Sequence, residues 1–215
     1  GANAITFGAG QIHNIQSLAL MSAFDTRFGA LGDHYSYDIT MNDGNLASGQ
    51  QMTVDAGNLR NGETLTFNGA AEADGSFRVF GGAGDDHIIG SQNGDTLVGA
   101  LGADTLTGGG GNDTFLYRSV AESTPTGHDT ITDLTLGDLI DLSAIDADTT
   151  RAGQQHFSFV NGGAFTNHAG ELIAVDNGSG NWTISADIDG DGAADLQILV
   201  HVTDGHQINA NDFHL

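Results

Sequence analysis

The sequence contains no cysteine, no lysine and a single proline among its 215 residues. Without cysteine there is no disulfide framework to support the fold. The basic residues number five, all arginine, against 28 acidic ones, giving a formal charge of −23. So little positive charge argues against nucleic acid or an anionic membrane surface as a partner. No apolar run approaches membrane-spanning length, so no membrane insertion is expected. The first residues lack a basic region followed by an apolar core, which leaves a cytosolic location or export by a route needing no N-terminal signal. The chain opens on Gly1-Ala2 without a start methionine, as expected of a fragment or processed form.

What is abundant is glycine, 33 residues of it, and aspartate, which greatly outnumbers glutamate. That pairing signals tight turns and metal loops rather than solvated helices. Both residues concentrate in four consecutive nine-residue repeats. These read Gly81-Gly-Ala-Gly-Asp-Asp-His-Ile-Ile89, Gly90-Ser-Gln-Asn-Gly-Asp-Thr-Leu-Val98, Gly99-Ala-Leu-Gly-Ala-Asp-Thr-Leu-Thr107 and Gly108-Gly-Gly-Gly-Asn-Asp-Thr-Phe-Leu116. Asp holds the sixth place throughout and a large apolar residue the eighth. This is the calcium-binding nonapeptide of RTX proteins, whose repeats alternate between the two sides of a parallel β-roll. Ile88, Leu97, Leu106 and Phe115 are then expected to stack inside the roll.

Calcium takes roughly six to eight oxygen ligands, more than one such loop can supply. Two loops stacked on the same side suffice, so loop 81–86 pairs with 99–104, and 90–95 with 108–113. Carbonyls at places one, three and five of the first loop join places two and four and the Asp carboxylate of the second. One site is then Gly81, Ala83, Asp85, Ala100, Gly102 and Asp104. The other is Gly90, Gln92, Gly94, Gly109, Gly111 and Asp113. Asp86 and Asp95 need partners one turn earlier. Asn68, Glu72 and Asp74 are the candidates there, with ordinary turn residues as the alternative. Two calcium ions would cancel only four of the 23 negative charges, so their benefit is local neutralisation and crosslinking. At a hundredfold excess over its dissociation constant, each bound ion contributes about 2.7 kcal/mol to folding.

Residues 1–80 alternate with period two in Tyr35–Met41, Gln51–Asp55, Glu63–Phe67 and Ser76–Phe80, between Asn-Gly and Asp-Gly turns. They read as an N-terminal β cap leading into the roll at 81–116. Residues 117–215 open with a loop, Tyr117 to Gly127. Strands are expected at Asp129–Asp133, His156–Val160, Glu171–Val175, Trp182–Ala186 and Leu196–Val202. Single helical turns are expected at Asp141–Ile145 and Asn209–Asp212. The class is all-β: a parallel β-roll with flanking β-sandwich-like capping regions.

From the repeats through Asn112–Tyr117, His128–Leu134, Gly137–Ile145 and Asp212–Leu215, the chain resembles the C-terminal half of serralysin-type secreted proteases and related RTX exoproteins. The resemblance implies a roll packed on a β-sandwich at 117–215, and an uncleaved C-terminal signal read by type I secretion machinery. Asp212, Phe213 and Leu215 match that signal, while His214 departs from its usual apolar residue. The resemblance also implies calcium beyond the last repeat, with Gly108, Gly110 and Asn112 sharing an ion with Asp129 or Asp138. The mechanism implied is a chain unfolded at low cytosolic calcium that folds on meeting calcium outside, either in the medium or at the cell surface.

Asp187-Ile-Asp-Gly-Asp-Gly-Ala-Ala-Asp195 opens like an EF-hand loop, with Asp187, Asp189, Asp191 and Asp195 at ligand places, yet Ile198 stands where the bidentate Glu belongs. It reads equally as a further calcium site or a polar turn. The HExxH motif of the serralysin protease domain is absent. None of the nine histidines is paired at zinc spacing, and no nucleophile elbow appears. No enzyme activity is therefore expected. The reading is a secreted calcium-binding module, with calcium as cofactor. Alternatives are an adhesin or surface-layer module holding a glycan or cell-surface ligand, or the C-terminal part of a larger RTX hydrolase or lyase.

Overall fold

A three-residue strand flanked by glycine loops cannot stand alone, but it can add to a ladder whose neighbours present the same side chains. The computed structural model describes residues 3–8, 11–12, 15–23, 35–160 and 162–215, and it is built on such ladders. The strands run β1 (Asn3–Thr6), β2 (Ser17–Ala19), β3 (Tyr37–Thr40), β4 (Gln51–Asp55), β5 (Leu65–Asn68) and β6 (Ser76–Phe80). The repeats supply β7 (His87–Ile89), β8 (Thr96–Val98), β9 (Thr105–Thr107) and β10 (Thr114–Leu116). After them come β11 (Asp129–Leu134), β12 (Leu139–Asp141), β13 (Ser158–Phe159), β14 (Glu171–Gly178), β15 (Asn181–Asp187), β16 (Leu196–Val202) and β17 (Phe213–His214).

Odd strands β1 to β11 form one parallel sheet, extended by β16, β15, β14 and β13. Even strands β2 to β12 form the other, closed by β17. The fold is all-β, a parallel β-roll with a sandwich-like end. Both sheets run through residues 80 and 116 without a break, so the roll continues into the flanking segments.

Register sets the core. Ile39, Phe67, Ile88, Leu106, Ile131 and Val200 form one column across the first sheet. Val54, Val79, Leu97, Phe115, Ile140 and Phe213 form its counterpart in the second. The expected stack is thus two facing columns, Ile88 with Leu106 and Leu97 with Phe115. Phe67 and Phe77 meet edge to face across the sheets, 5.0 Å between centroids, and Phe159 and Phe213 meet at the other end at 5.4 Å.

The expected strands at 51–55, 76–80 and 196–202 appear with those bounds. The helical turn expected at 141–145 does not form. Asp141 ends β12, and its Oδ1 accepts from the Ser143 N–H at 3.0 Å and the Ser143 hydroxyl at 2.7 Å. That local bond favours a turn over a helix. Asn209 does cap a 3₁₀ turn at Ala210–Asp212.

Truncating a column residue removes contacts to both neighbouring rungs. Leu106→Ala and Leu97→Ala are each expected to cost about 2–5 kcal/mol, read by denaturant unfolding of the calcium-saturated protein. A loss below about 1 kcal/mol would mean that the columns do not carry the roll.

Candidate metal centre

The sixth-place aspartates sit where each loop turns into its strand, and they reach across to the adjacent rung. Asp104 Oδ1 accepts the backbone N–H of Asp86 at 2.7 Å, and Asp129 Oδ1 accepts that of Asp104 at 2.9 Å. On the other side Asp113 Oδ1 accepts from Asp95 N–H at 2.8 Å, and Asp138 Oδ1 from Asp113 N–H at 2.8 Å. Two carboxylate stacks result, Asp86–Asp104–Asp129 and Asp95–Asp113–Asp138. The same bond continues toward the N-terminus, where Asp86 takes the Leu65 N–H and Asp95 the Phe77 N–H.

The loops stack in the expected pairs. Leu101 N–H donates to the Gly82 carbonyl and Gly110 N–H to that of Ser91, both at 3.0 Å. A Cβ at Gly81 would collide with Asp86 Oδ2 and the Gly99 carbonyl, and one at Gly90 with Asp95 Oδ2 and the Gly108 carbonyl. Carboxylate and carbonyl oxygens therefore converge inside each loop, in space that only glycine leaves open. Gly102, Gly109 and Gly111 have positive φ, and so does Ala100, at 73°. Gly94 lies against the Asn112 carbonyl, and Asn112 Oδ1 faces Gly137. Asp85 uses Oδ1 to accept the Ala103 N–H at 2.9 Å.

All six stacked aspartates are buried, Asp104 to 1 % exposure. Asp104 Oδ2 has no hydrogen-bond partner, and Asp129 Oδ2 has none beyond the neighbouring Tyr117 hydroxyl. Among the described residues no basic side chain lies within ion-pair distance of these carboxylates. Burial pushes Asp104 up to about 8, helped by the charge of Asp129. Burial likewise raises Asp113 and Asp129 to about 7, and Asp86 and Asp95 to about 6, against the backbone N–H bonds that oppose it. Hard oxygen donors, mutual repulsion and an orphaned buried oxygen together fit a calcium ion. Bound there, calcium would supply the missing counter-charge and tie successive rungs together.

Past the last repeat, Asp138 stacks on Asp113 while Asp129 stacks on Asp104, so the ligand pair inferred there divides between the two sides. Asp133 escaped notice in the sequence: its two oxygens accept the N–H groups of Gly108 at 2.8 Å and Gly109 at 2.9 Å. The N-terminal candidates serve the backbone, as the turn alternative has it. Asn68 Oδ1 accepts from Ala70 N–H, and buried Glu72 accepts from Leu46, Asp74 and Gly75 N–H. Asp74 contributes that N–H and its carbonyl, which accepts the Gly49 N–H at 2.9 Å. Glu63, also unforeseen, takes the N–H groups of Ala23, Tyr35 and Arg60. Burial acts to raise it, yet with the Ser22 hydrogen bond added these N–H bonds hold its carboxyl below the usual range.

In the EF-hand-like segment, Asp187, Asp189 and Asp195 each bring one carboxylate oxygen within 4.8 Å of the others, while Asp191 stands apart. Buried Asp187 accepts from the N–H of Asp189, Gly190 and Gly192, and Asp195 from that of Ile188. Ile198 is buried in β16. The residues expected to form the signal are docked rather than free: Asp212 accepts the Asn209 N–H at 2.7 Å, Phe213 is in the core, and His214 Nδ1 lies 3.1 Å from Asp141 Oδ2. Leu215 packs against the same core.

A family model described as Peptidase M10 serralysin C terminal matches residues 36–215. The chain belongs to that family. Serralysin C-terminal domains are RTX-type calcium-binding β-rolls of secreted proteins, and the matched region is their non-catalytic part. The match spans the even and odd rungs from β3 onward, together with β13 to β17. No curated protein matches the chain.

Two outcomes are expected of this serralysin C-terminal domain. Its raised carboxyls bind protons that the unfolded chain releases near pH 4, so folding of calcium-stripped protein gains from them fully below that pH. The gain is lost as pH rises through 6 to 8, and melting in calcium-free buffer should therefore come at lower temperature at pH 8 than at pH 5. A flat or opposite slope would show that these carboxylates are not protonated in the calcium-free fold. Ala100→Gly relieves a left-handed residue and is expected to stabilise the calcium-loaded protein by about 1 kcal/mol, read as a raised midpoint in denaturant.

Proposed function

We propose that this domain is a calcium-triggered folding module that serves type I export and then stabilises whatever it is joined to. The observation that carries the reading is the buried carboxylates of Asp104 and Asp129, one rung apart in a stack with no basic neighbour, with Asp104 Oδ2 left without a hydrogen-bond partner. Without a cation, repulsion and desolvation oppose stacking the loops. With calcium at the 10⁻⁴–10⁻³ M affinities of extracellular modules, the same carboxylates draw the rungs together. Gly81, Ala83, Asp85, Ala100, Gly102 and Asp104 would hold one ion, and Gly90, Gln92, Gly94, Gly109, Gly111 and Asp113 another. Asp86, Asp95, Asp129 and Asp138 close the stacks from either end, with Gly108, Gly110 and Asn112 beside Asp138.

The segment Asp212–Leu215 is the proposed export signal. Asp212 and Phe213 are buried once the domain folds, with Phe213 paired to β12, while His214 stays exposed, so a reader of the whole signal would meet it on the unfolded chain. Low calcium inside the cell and high calcium outside then separate export from folding in space.

The test is circular dichroism and thermal melting during calcium titration, with Asp104→Asn and Asp129→Asn alongside. A cooperative gain of β structure near millimolar calcium is expected, with the midpoint moved to about tenfold higher calcium in each variant, the equivalent of about 1.4 kcal/mol. A protein that is fully folded and melts unchanged in chelator would overturn the reading.

A further inference from the structure

Only four of the five arginines fall among the described residues, and two of those share one aromatic ring. The Arg78 guanidinium carbon lies 5.1 Å from the Phe80 ring centroid and that of Arg118 lies 4.9 Å from it. Carboxylates outnumber basic groups 28 to 5 in this chain, yet neither guanidinium has a carboxylate within ion-pair distance among the described residues. Glu122, the acid that feels Arg118, accepts the Arg118 backbone N–H at 2.9 Å instead. Two cations left unpaired amid such an excess of acid are available to a ligand.

Arg118 lines a cleft of about 350 Å³ together with Asp55, Phe80, Val98, Gly81 and Ala100, and Arg78 flanks it on the Phe80 ring. That size is at the small end of ligand clefts, which run to about 300–1,000 Å³. Asp55 pairs with Phe80 in register across β4 and β6. Its Oδ1 accepts the Gly57 N–H at 3.0 Å, while Oδ2 takes no hydrogen bond among the described residues. The cleft thus offers three chemistries side by side: a guanidinium fork for a planar anion, an aromatic and valine wall, and a carboxylate oxygen that accepts hydroxyls.

We infer that this cleft binds a carboxylated sugar, a hexuronate unit. Its carboxylate would meet Arg118, with Arg78 alongside, its C–H face would pack on Val98 and the edge of Phe80, and a hydroxyl would donate to Asp55. A neutral sugar leaves the guanidinium groups without a partner. A simple anion leaves both the wall and the Asp55 acceptor unused. Gly81 and Ala100 belong to the first calcium loop pair, so the cleft takes shape only when those loops are stacked. The inference goes beyond folding and export, and it gives the folded roll a ligand of its own.

The experiment is saturation-transfer NMR on the calcium-saturated protein, with methyl β-glucuronide compared against methyl β-glucoside. Binding of the glucuronide is expected, weakened by about tenfold or more for the glucoside and by a similar factor in Arg118→Gln and Arg78→Gln, the loss of one charge-assisted pair. Arg151→Gln, on a different surface, should bind as the unsubstituted protein does. Thermal melting in calcium separates this outcome from a folding defect, because the surface arginine variants should melt unchanged. Equal binding of the two sugars, no binding of either, or undiminished binding in a normally melting Arg118→Gln protein would overturn the proposal.

Discussion

One bond governs the repeat region: a buried aspartate oxygen accepting the N–H of the aspartate one rung before it. Each such bond positions a carboxylate over its neighbour, so the regularity that organises the loops also accumulates negative charge. Asp86, Asp104 and Asp129 on one side, and Asp95, Asp113 and Asp138 on the other, are held at distances that water would normally screen and the interior does not. The loop geometry and the requirement for a cation are therefore one constraint seen from two directions. Protons meet it partly, which is why the carboxyls are raised; a divalent ion meets it fully.

The N-terminal rungs answer the same need differently. Glu63 and Glu72 are fully buried, yet each is surrounded by backbone N–H groups that stabilise its charge without a metal. These two nests lie beneath the first loop on either side: the Glu63 carbonyl sits under Gly84, and the Glu72 carbonyl accepts the Gln92 N–H. The roll thus passes from carboxylates satisfied by the backbone to carboxylates left facing one another. The demand for a counter-charge is thus local to residues 81–138, built on rungs with an internal source of charge stabilisation.

Much of this was legible in the residues because period and side-chain size are directly coupled in a ladder. The sixth-place Asp and eighth-place Ile88, Leu97, Leu106 and Phe115 fixed loop pairing and core columns, and alternating segments such as Ser76–Phe80 and Leu196–Val202 marked strands to the residue. The roll's continuation upstream was hidden, because β1 to β6 are spaced by loops of unequal length that do not follow the nonapeptide. Asp133 and Glu63 were invisible for a related reason: most of their partners are backbone N–H groups far along the chain, and backbone donors have no sequence. The turn at Asp141 was misread because Asp and Ser side chains compete for the N–H groups that a helix would use. Arg78, Phe80 and Arg118 form their cluster only through register, with the second arginine brought in from beyond β10.

The taper of the two sheets has a bearing on solubility. An open parallel sheet presents a row of unpaired N–H and carbonyl groups, a template on which another chain can grow. Here the last strands, β13 and β17, are two residues each, Ser158–Phe159 and Phe213–His214. A strand that short offers too few groups in line to seed pairing. In the second sheet the edge thus nearly vanishes, whereas in the first β13 covers only Glu171 and Leu172 of the eight-residue β14 and leaves the rest of that strand as the place where another chain could add.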